Sequence, residues 1–392
     1  MLAKIGLLQR LVICIILGTI LGSMGWYPIM AVLSTFNALF GQLLTFTIPL
    51  IILSFISVGI ADIGKGSGKM LGMVVMYAYT LTIFSGFLAY FVTVIFQPLV
   101  VEIGSAIAVE DARDAVPSLV NLVIPPAIPI MTALTLAFVI GVFIVNLEEG
   151  NTLLKGLQNF REIISQLIGK VIIPLLPIHI AGIFARIAWQ GQAADMFATF
   201  ARVFILIIIL HWVFIMVQFF IAGAIYKENP FKLLKPMLSS YMTAIGTQSS
   251  AATIPVNLQN VKKLGVQEKV ADFVVPLGAT INLPGSTMSI VACTVAVMFM
   301  YNMDVSLAVI APFVFGVSVA MVAAPGVPGG AIMASLGVLE LTLGFTEPQL
   351  ALMIALYIAQ DSFGTAVNVT SDGCGAMFLN RINGNKTLHP KV

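Results

Sequence analysis

The sequence predicts an all-α membrane protein, and its composition and hydropathy are the observations that predict it. Of its 392 residues, 59% are hydrophobic and 9% are charged, whereas a soluble domain carries about 25% charged residues. The mean hydropathy is +1.05. A chain of this length cannot cover a water-facing surface with so few charges, so a soluble enzyme and a disordered protein are both excluded.

The balance of charges also excludes a nucleic-acid partner. The 19 basic and 17 acidic side chains leave a net charge of +2, and no basic run is interleaved with aromatic residues. Nucleic-acid binding requires a concentrated positive surface. The expected partners are therefore the lipid bilayer and a small solute.

Six apolar stretches in the first 225 residues predict membrane helices, which need roughly 20 residues each. They lie at residues 11–24, 36–61, 70–100, 124–145, 163–185 and 200–225. Lys and Arg favour the cytoplasmic side of short loops. With the N-terminus inside, fifteen of the 19 basic residues lie inside and three outside, with Lys170 within a span. We therefore expect a multi-pass membrane protein with its N- and C-termini in the cytoplasm.

After about residue 231, Gly, Pro, Ser, Thr and Asn interrupt the apolar runs at residues 249–255, 282–286 and 324–330. Non-helical backbone at membrane depth is tolerated only where it is buried in protein or lines a cavity. The first and last of these segments lie between short apolar arms, which predicts two re-entrant hairpins. Residues 282–286 predict an unwound break in a spanning helix. Such interrupted segments indicate the binding site of a transporter.

The last predicted helix, at about residues 349–378, carries a polar stripe. Asp361, Thr365, Asn368 and Asp372 stand at i, i+4, i+7 and i+11, so they fall on one helical face. An aspartate within a membrane requires a partner, and this helix has no Lys or Arg before Arg381. A transient cation is the natural partner: an ammonium group, a proton or a metal ion. Oxygen ligands suit Na⁺, and no His or Cys cluster is present to hold a transition metal.

The predicted tip of the first hairpin complements this stripe. Ser249 and Ser250 offer hydroxyls and backbone N–H groups at the start of a helix, where a carboxylate binds well. An anion receptor and an aspartate stripe in one core fit a zwitterion. An amino acid is the simplest such solute.

Four ordered motifs carry a family resemblance. They are Ser-Ser-x-x-Thr-x-Pro at 249–255, Pro-Leu-Gly-Ala-Thr-Ile-Asn at 276–282, Gly-Val-Pro-Gly at 326–329 and Asn-Val-Thr-x-Asp at 368–372. The chain resembles the dicarboxylate/amino acid:cation symporter family, which includes the glutamate transporters. Within that family it is most similar to bacterial sodium-coupled serine/threonine symporters, which implies a multi-pass protein of the bacterial cytoplasmic (inner) membrane.

The resemblance implies eight transmembrane helices plus two re-entrant helical hairpins, a homotrimer and an elevator mechanism. A scaffold and trimerisation part would comprise residues 1–68 and 115–198, with helices 1, 2, 4 and 5. A transport part would comprise residues 69–114 and 199–392, with helices 3, 6, 7 and 8. The two hairpins, at about 232–262 and 307–342, would belong to the transport part.

The resemblance also implies a substrate site. Asp361 would bind the α-amino group of the substrate, and Asn368 and the tip at Ser249 and Ser250 would bind its α-carboxylate. Thr365 and Ser286 would line the pocket, and the second hairpin, tipped by Gly326 to Gly329, would close it as a gate.

Two sodium sites are implied in the same way. One would use the carboxylate of Asp372 with backbone carbonyls of Gly278, Asn282 and Asn368. The other would use backbone carbonyls near Thr280 and in the second hairpin from Met321 to Ala324. Na⁺ is thus the expected co-transported ion, with H⁺ as an alternative.

Two departures from the family pattern bear on specificity. Members that carry acidic substrates have an arginine three residues after the amino-binding aspartate, where this chain has Gly364. An unpaired substrate carboxylate is costly to desolvate, so a small neutral amino acid such as serine, threonine or alanine is favoured. A dicarboxylate or acidic amino acid is the alternative. Pro284 stands where members with a third sodium site place an aspartate, so we expect fewer coupled sodium ions than in the glutamate transporters.

Two other functional classes fit these residues less well. An ion channel also needs hydroxyls and carbonyls at depth, but it does not need paired receptors for an anion and an ammonium group. A membrane enzyme needs a nucleophile and a base, and we expect the candidate bases, His179, His211 and His389, to lie away from the Ser and Asp residues. The sequence therefore favours a transporter and not an enzyme.

Overall fold

The computed structural model describes residues 7–64, 69–105, 116–120, 122–144, 147, 152–191, 193–322, 324, 329–384 and 388. Those residues form 16 α-helices and no strand, which confirms the all-α prediction. The following bounds and labels apply throughout.

The described residues up to Tyr226 form eight α-helices of 8 to 34 residues. They are α1 (Leu7–Ser23), α2 (Tyr27–Ile51), α3 (Ser57–Gly64), α4 (Lys69–Phe96), α5 (Ile130–Ile144), α6 (Thr152–Leu167), α7 (Ile173–Trp189) and α8 (Ala193–Tyr226). A π-helical turn, Ile52–Ile56, joins α2 to α3, and another, Ile168–Ile172, joins α6 to α7. Each of these two joints lies inside one continuous helical span.

The second half forms shorter helices separated by breaks. They are α9 (Pro230–Thr247), α10 (Ser250–Lys263), α11 (Glu268–Ile281), α12 (Pro284–Met300), α13 (Leu307–Val322), α14 (Gly330–Leu343), α15 (Glu347–Ile358) and α16 (Asp361–Ile382). The pairs α9–α10 and α13–α14 each pack against one another as helical hairpins.

Five helical segments in the described residues are long and apolar enough to cross a membrane. They are Tyr27–Ala61, Met70–Phe96, Thr152–Trp189, Phe197–Tyr226 and Glu268–Met300. The pair α15 and α16 makes a sixth if it is counted as one bent span. These five or six spans are fewer than the eight predicted. One reason is that α1 and α5, with 17 and 15 residues, are shorter than the roughly 20 residues that cross a bilayer.

The helix predicted at 124–145 begins later than expected. Residues 122–129 are not helical, and Pro125, Pro126 and Pro129 lie among them. Proline lacks the N–H that a helix interior needs and disfavours the helical conformation of the residue before it. The helix therefore begins at Ile130.

The prediction of a single last helix at 349–378 is wrong. The structure has two helices, α15 and α16, bent by 59° at Ala359 and Gln360. At the break, backbone hydrogen bonds join residues three apart, whereas an α-helix joins residues four apart. The Gln360 N–H donates to the Tyr357 carbonyl at 2.8 Å, and the Phe363 N–H donates to the Gln360 carbonyl at 2.9 Å. The whole polar stripe remains on α16, starting from its first residue.

Helix α12 is the centre of the molecule. All of its residues except Phe299 are buried, and it packs against α4, α8, α15 and α16. The break before α12 is thus enclosed by protein, as non-helical backbone in an apolar surrounding requires.

Small residues bring α1 against α7. A Cβ atom at Gly18 or Gly22 would overlap the backbone of Ala181 or Ala185, respectively. Small residues spaced four apart let two membrane helices approach to backbone contact.

Candidate functional site

A cavity of about 80 Å³ lies where the broken segments of the second half meet. Its walls come from the tip between α9 and α10, the break between α11 and α12, the second hairpin and α16. The lining residues are Gln248, Ser249, Ser250, Ala251, Ala279, Thr280, Leu283, Ser286, Ala324, Ala331, Asp361, Thr365 and Asn368. Eight of them were predicted site residues: Ser249, Ser250, Thr280, Ser286, Ala324, Asp361, Thr365 and Asn368.

The tip of the first hairpin is a helix start with a hydroxyl cap. Gln248 ends α9 with a left-handed backbone (φ 53°), which turns the chain. Ser249 caps α10: its hydroxyl accepts from the Ala252 N–H at 3.3 Å, and its carbonyl accepts from the Thr253 hydroxyl at 2.9 Å. The first N–H groups of a helix and a nearby hydroxyl form a receptor for a carboxylate.

Asp361 is buried and links α16 to its neighbours. Its Oδ1 accepts from the Tyr357 hydroxyl at 2.8 Å, and its Oδ2 accepts from the Gly329 N–H at 2.7 Å. Of the described residues that line the cavity, Asp361 is the one that carries a charge. Each carboxylate oxygen has a second lone pair, so the group can still accept bonds from an ammonium.

Asn368 holds the start of α12. Its Oδ1 accepts from the N–H groups of Gly285 at 2.8 Å and Ser286 at 3.2 Å, and its Nδ2 donates to the Ser286 hydroxyl at 2.9 Å. Asn368 therefore fixes the position of Ser286 in the cavity wall. Its side chain is engaged with this helix start as well as lining the cavity.

His179 and His211 do not line the cavity, and His389 lies outside the described residues. His211 nevertheless contacts the start of α12, the helix that carries Ser286. It is fully buried on α8, and its Nε2 lies 3.2 Å from both the Gly285 carbonyl and the Ser289 hydroxyl. Gln218, seven residues later, accepts from the Ser371 hydroxyl at 3.0 Å. Two polar residues at i and i+7 of an apolar helix share a face, and that spacing is the signal by which the sequence could have indicated this contact.

Asp372 lies on α16 about three turns after Asp361, and it is not among the residues that line the cavity. Its Oδ1 accepts from the Asn282 Nδ2 at 2.9 Å, whereas its Oδ2 and the Asn282 Oδ1 are buried without a partner in the described part of the chain. A Cβ at Gly278 would lie 2.5 Å from the Asp372 Oδ1. Two unpartnered oxygens beside a glycine, one of them a carboxylate, fit a hard cation better than a closed hydrogen-bond network.

The residues of the second predicted ion site lie on two elements. Thr280 and Ala324 both line the cavity, while Met321 is buried on α13. The Thr280 hydroxyl donates to the Leu277 carbonyl at 2.7 Å, so its side chain is already engaged. Gly326 lies outside the described residues.

Gly364 and Pro284 have visible packing roles. Gly364 is absent from the cavity lining, and a Cβ at this position would lie 3.3 Å from the Ser286 backbone nitrogen. Pro284 is the first residue of α12, a position where the missing N–H of proline costs nothing.

Comparison with known proteins adds independent information. The model of the Sodium:dicarboxylate symporter family matches residues 7–382. The Serine/threonine transporter SstT of Acinetobacter baylyi is 25% identical over 387 residues, which cover 95% of this chain and 96% of that protein. SstT of Acinetobacter baumannii is 28% identical over 241 residues, and the chain spans 60% of the length of that relative. Neutral amino acid transporter A of Bos taurus is 30% identical over 158 residues, or 40% of this chain and 30% of that protein.

These matches confirm the resemblance that the motifs indicate. The named relatives are transporters and not enzymes, as the sequence predicts. The family match extends over almost the whole chain. The chain therefore belongs to the sodium:dicarboxylate symporter family.

Proposed function

We propose that this protein is a sodium-coupled symporter of a small neutral amino acid such as serine, threonine or alanine. The composition of the cavity wall is the main support for this proposal. The cavity encloses about 80 Å³, its walls combine a carboxylate receptor with one buried carboxylate, and the described residues that line it include no Lys, Arg or His. It therefore complements a small zwitterion and provides no cation for a second carboxylate.

In this proposal, the α-carboxylate binds at the tip formed by Ser249 and Ser250. The α-ammonium group binds Asp361, whose burial makes a cationic partner favourable. Thr365 and Ser286 contact the side chain, and Asn368 positions Ser286. The names of the relatives, serine/threonine and neutral amino acid transporters, support the same substrate class.

Sodium coupling follows from two groups of ligands. Asp372 and Asn282 supply unpartnered oxygens beside Gly278 for one Na⁺, and the backbone near Thr280 and from Met321 to Ala324 supplies a second. We propose Na⁺ as the coupled ion because the family name specifies sodium and because hard oxygen ligands suit it.

The ion and the gate are coupled through the second hairpin. The Gly329 N–H binds Asp361, and we propose that the segment including Gly326 closes over the substrate once Na⁺ is bound beside Thr280. A closed hairpin excludes water from the site and lets both solutes move together.

We also propose the elevator mechanism and the division into parts. Residues 1–68 and 115–198 form a scaffold that assembles a homotrimer in the bacterial inner membrane, with cytoplasmic termini. Residues 69–114 and 199–392 carry the site across the membrane. The contacts of α1 with α7, and of α12 with α4 and α16, support this division, because each joins helices of the same part.

The test is uptake into liposomes that contain the purified protein. We expect labelled serine, threonine or alanine to accumulate under an inward sodium gradient and to stop accumulating when the gradient is removed. Labelled aspartate and succinate are the matched probes for the alternative, an acidic amino acid or dicarboxylate symporter coupled to Na⁺ or H⁺. Strong aspartate uptake with no uptake of neutral amino acids would overturn the proposal.

A further inference from the structure

A second cavity, three times larger, lies away from the proposed transport site. It encloses about 240 Å³ between α2, α7 and the start of α15. None of its lining residues belongs to the smaller cavity of about 80 Å³. In the proposed division, α2 and α7 belong to the scaffold and α15 to the transport part, so this cavity lies between the two.

One wall of the cavity holds a buried polar group without a partner. One orientation of the Asn37 amide makes hydrogen bonds with all of its polar neighbours. In that orientation its Nδ2 donates to the carbonyl and the Nδ1 of His179, both at 3.1 Å, and its Oδ1 accepts from the Ile183 N–H at 3.2 Å. Since Nδ1 then accepts, the proton of the neutral ring lies on Nε2. His179 is only 2% exposed, and its Nε2 has no hydrogen-bond partner among the described residues. A buried N–H donor of this kind requires an acceptor.

The position of this ring is well defined. His179 packs against Phe40, with the ring centroids 4.6 Å apart and the ring planes tilted by 34°. The absence of a side chain at Gly182 leaves room for Asn37, because a Cβ there would lie 2.5 Å from the amide. The donor is therefore held in place before any ligand arrives.

Two opposite charges line the same cavity without pairing. Arg186 is half-buried on α7 and Glu347 is exposed at the start of α15. No ion pair joins them within the part of the chain that the structure describes. The remaining wall is largely apolar, with Met30, Ile183 and Trp189 contributing to it.

From these groups we infer that the cavity binds an amino acid with a large apolar side chain. Its carboxylate accepts from the Arg186 guanidinium and the His179 Nε2–H, and its ammonium group pairs with Glu347. Its side chain packs against Met30, Ile183 and Trp189. A zwitterion gives every polar group of the wall a partner, whereas a plain carboxylate leaves Glu347 beside a like charge.

The consequence for transport rests on the proposed function. A ligand that contacts α7 and α15 at once binds best when the two parts are in this arrangement, so it shifts the population toward it. We expect large apolar amino acids to slow serine uptake without competing for the serine site.

The test measures binding to the purified full-length protein carrying Asp361→Asn, which removes the proposed ammonium partner of the transport site. The probe is labelled phenylalanine, with 3-phenylpropionate and phenethylamine as competitors that lack one charge each. The variants are Arg186→Gln and Glu347→Gln. Arg202→Gln is the matched control, since Arg202 is exposed on α8 and outside the cavity.

We expect saturable phenylalanine binding that Arg186→Gln and Glu347→Gln each weaken at least tenfold and that Arg202→Gln leaves unchanged. Each competitor should bind at least tenfold more weakly than phenylalanine. No saturable binding, binding that survives Arg186→Gln, or 3-phenylpropionate that binds as tightly as phenylalanine would overturn the inference. Labelled serine binding to the protein with Asp361 intact is measured separately, so failure of the transport site is distinguished from failure of this one.

Discussion

At the scale of single residues, the two buried aspartates of α16 have different surroundings. Asp361 has both oxygens engaged, by the Tyr357 hydroxyl and the Gly329 N–H. Asp372 has one oxygen bound to Asn282 and one without a partner in the described structure. The surroundings of Asp361 suit a carboxylate that binds both the second hairpin and a substrate ammonium group. The surroundings of Asp372 suit a carboxylate that binds a metal cation.

We expect Asp361→Asn to weaken serine binding about 100-fold or more, because removing one partner of a buried ion pair costs about 3–5 kcal/mol. Sodium binding at Asp372 should persist, since that carboxylate is unchanged. Labelled serine binding and the sodium-dependent shift in melting temperature measure the two effects. Asp304→Asn, at an exposed aspartate, is the control, and full serine uptake by Asp361→Asn would contradict the assignment.

Gly278→Ala tests the ion site without removing a charge. The new Cβ would lie 2.5 Å from the Asp372 Oδ1, and overpacking of this kind costs about 1–3 kcal/mol. We expect the sodium concentration that half-saturates serine binding to rise about tenfold. Gly156→Ala is the control, because a Cβ there meets no atom within 4 Å; equal effects of the two variants would argue against an ion site beside Gly278.

At the scale of elements, the breaks bring the site together. Gln248 to Ser249, Asn282 to Leu283, and Ala359 to Gln360 each end one helix and start another. The first N–H groups of each new helix lack partners within that helix, so they are available to bind a side chain or a ligand. At α12 those groups bind Asn368, and the carbonyl of Gly285 faces His211.

The contact between α8 and the start of α12 predicts a role for His211 in positioning the site. We expect His211→Leu to weaken serine binding about fivefold to twentyfold, because a buried hydrogen bond to the Gly285 carbonyl is worth about 1–2 kcal/mol. Sodium-dependent serine binding by the purified protein measures the effect.

The control for His211→Leu is Val213→Leu, on the half-exposed face of the same helix. It should leave serine affinity unchanged. Unaltered serine affinity in His211→Leu would show that the start of α12 holds its position without this ring.

At the scale of the whole molecule, the proposed elevator requires α14 to move past α2. A Cβ at Gly337 on α14 would lie 3.0 Å from the Ile48 Cγ2 on α2, which is near enough for a disulfide. In the Gly337→Cys, Ile48→Cys double variant, oxidation should stop serine uptake and leave serine binding intact. Reduction should restore uptake.

The matched pair for this experiment joins two helices of the transport part. A Cβ at Gly86 on α4 would lie 2.8 Å from the Val314 Cγ1 on α13. Oxidised Gly86→Cys, Val314→Cys should retain most serine uptake. Uptake by the oxidised pair at Gly337 and Ile48 would rule out motion between these two parts.

Much of the candidate site could be predicted because its signals are local. The helical repeat alone places Asp361, Thr365, Asn368 and Asp372 on one face, and all four are buried on α16. The breaks at 249 and 282 could also be predicted, since Pro, Gly, Ser and Asn favour helix starts and turns. The bend between α15 and α16 was not predicted, because it lies at Ala359 and Gln360, residue types that favour a continuous helix.

The sequence by itself determined the solvent, the helical class and the positions of the two aspartates, because composition and periodicity are properties of the chain taken in order. Only the tertiary structure decided which groups these residues meet. Asp361 reaches Gly329 across 32 residues, Asn368 reaches Ser286 across 82, and His211 reaches Gly285 across 74. Such partners depend on how separate helices pack, and no local pattern in the sequence specifies that packing.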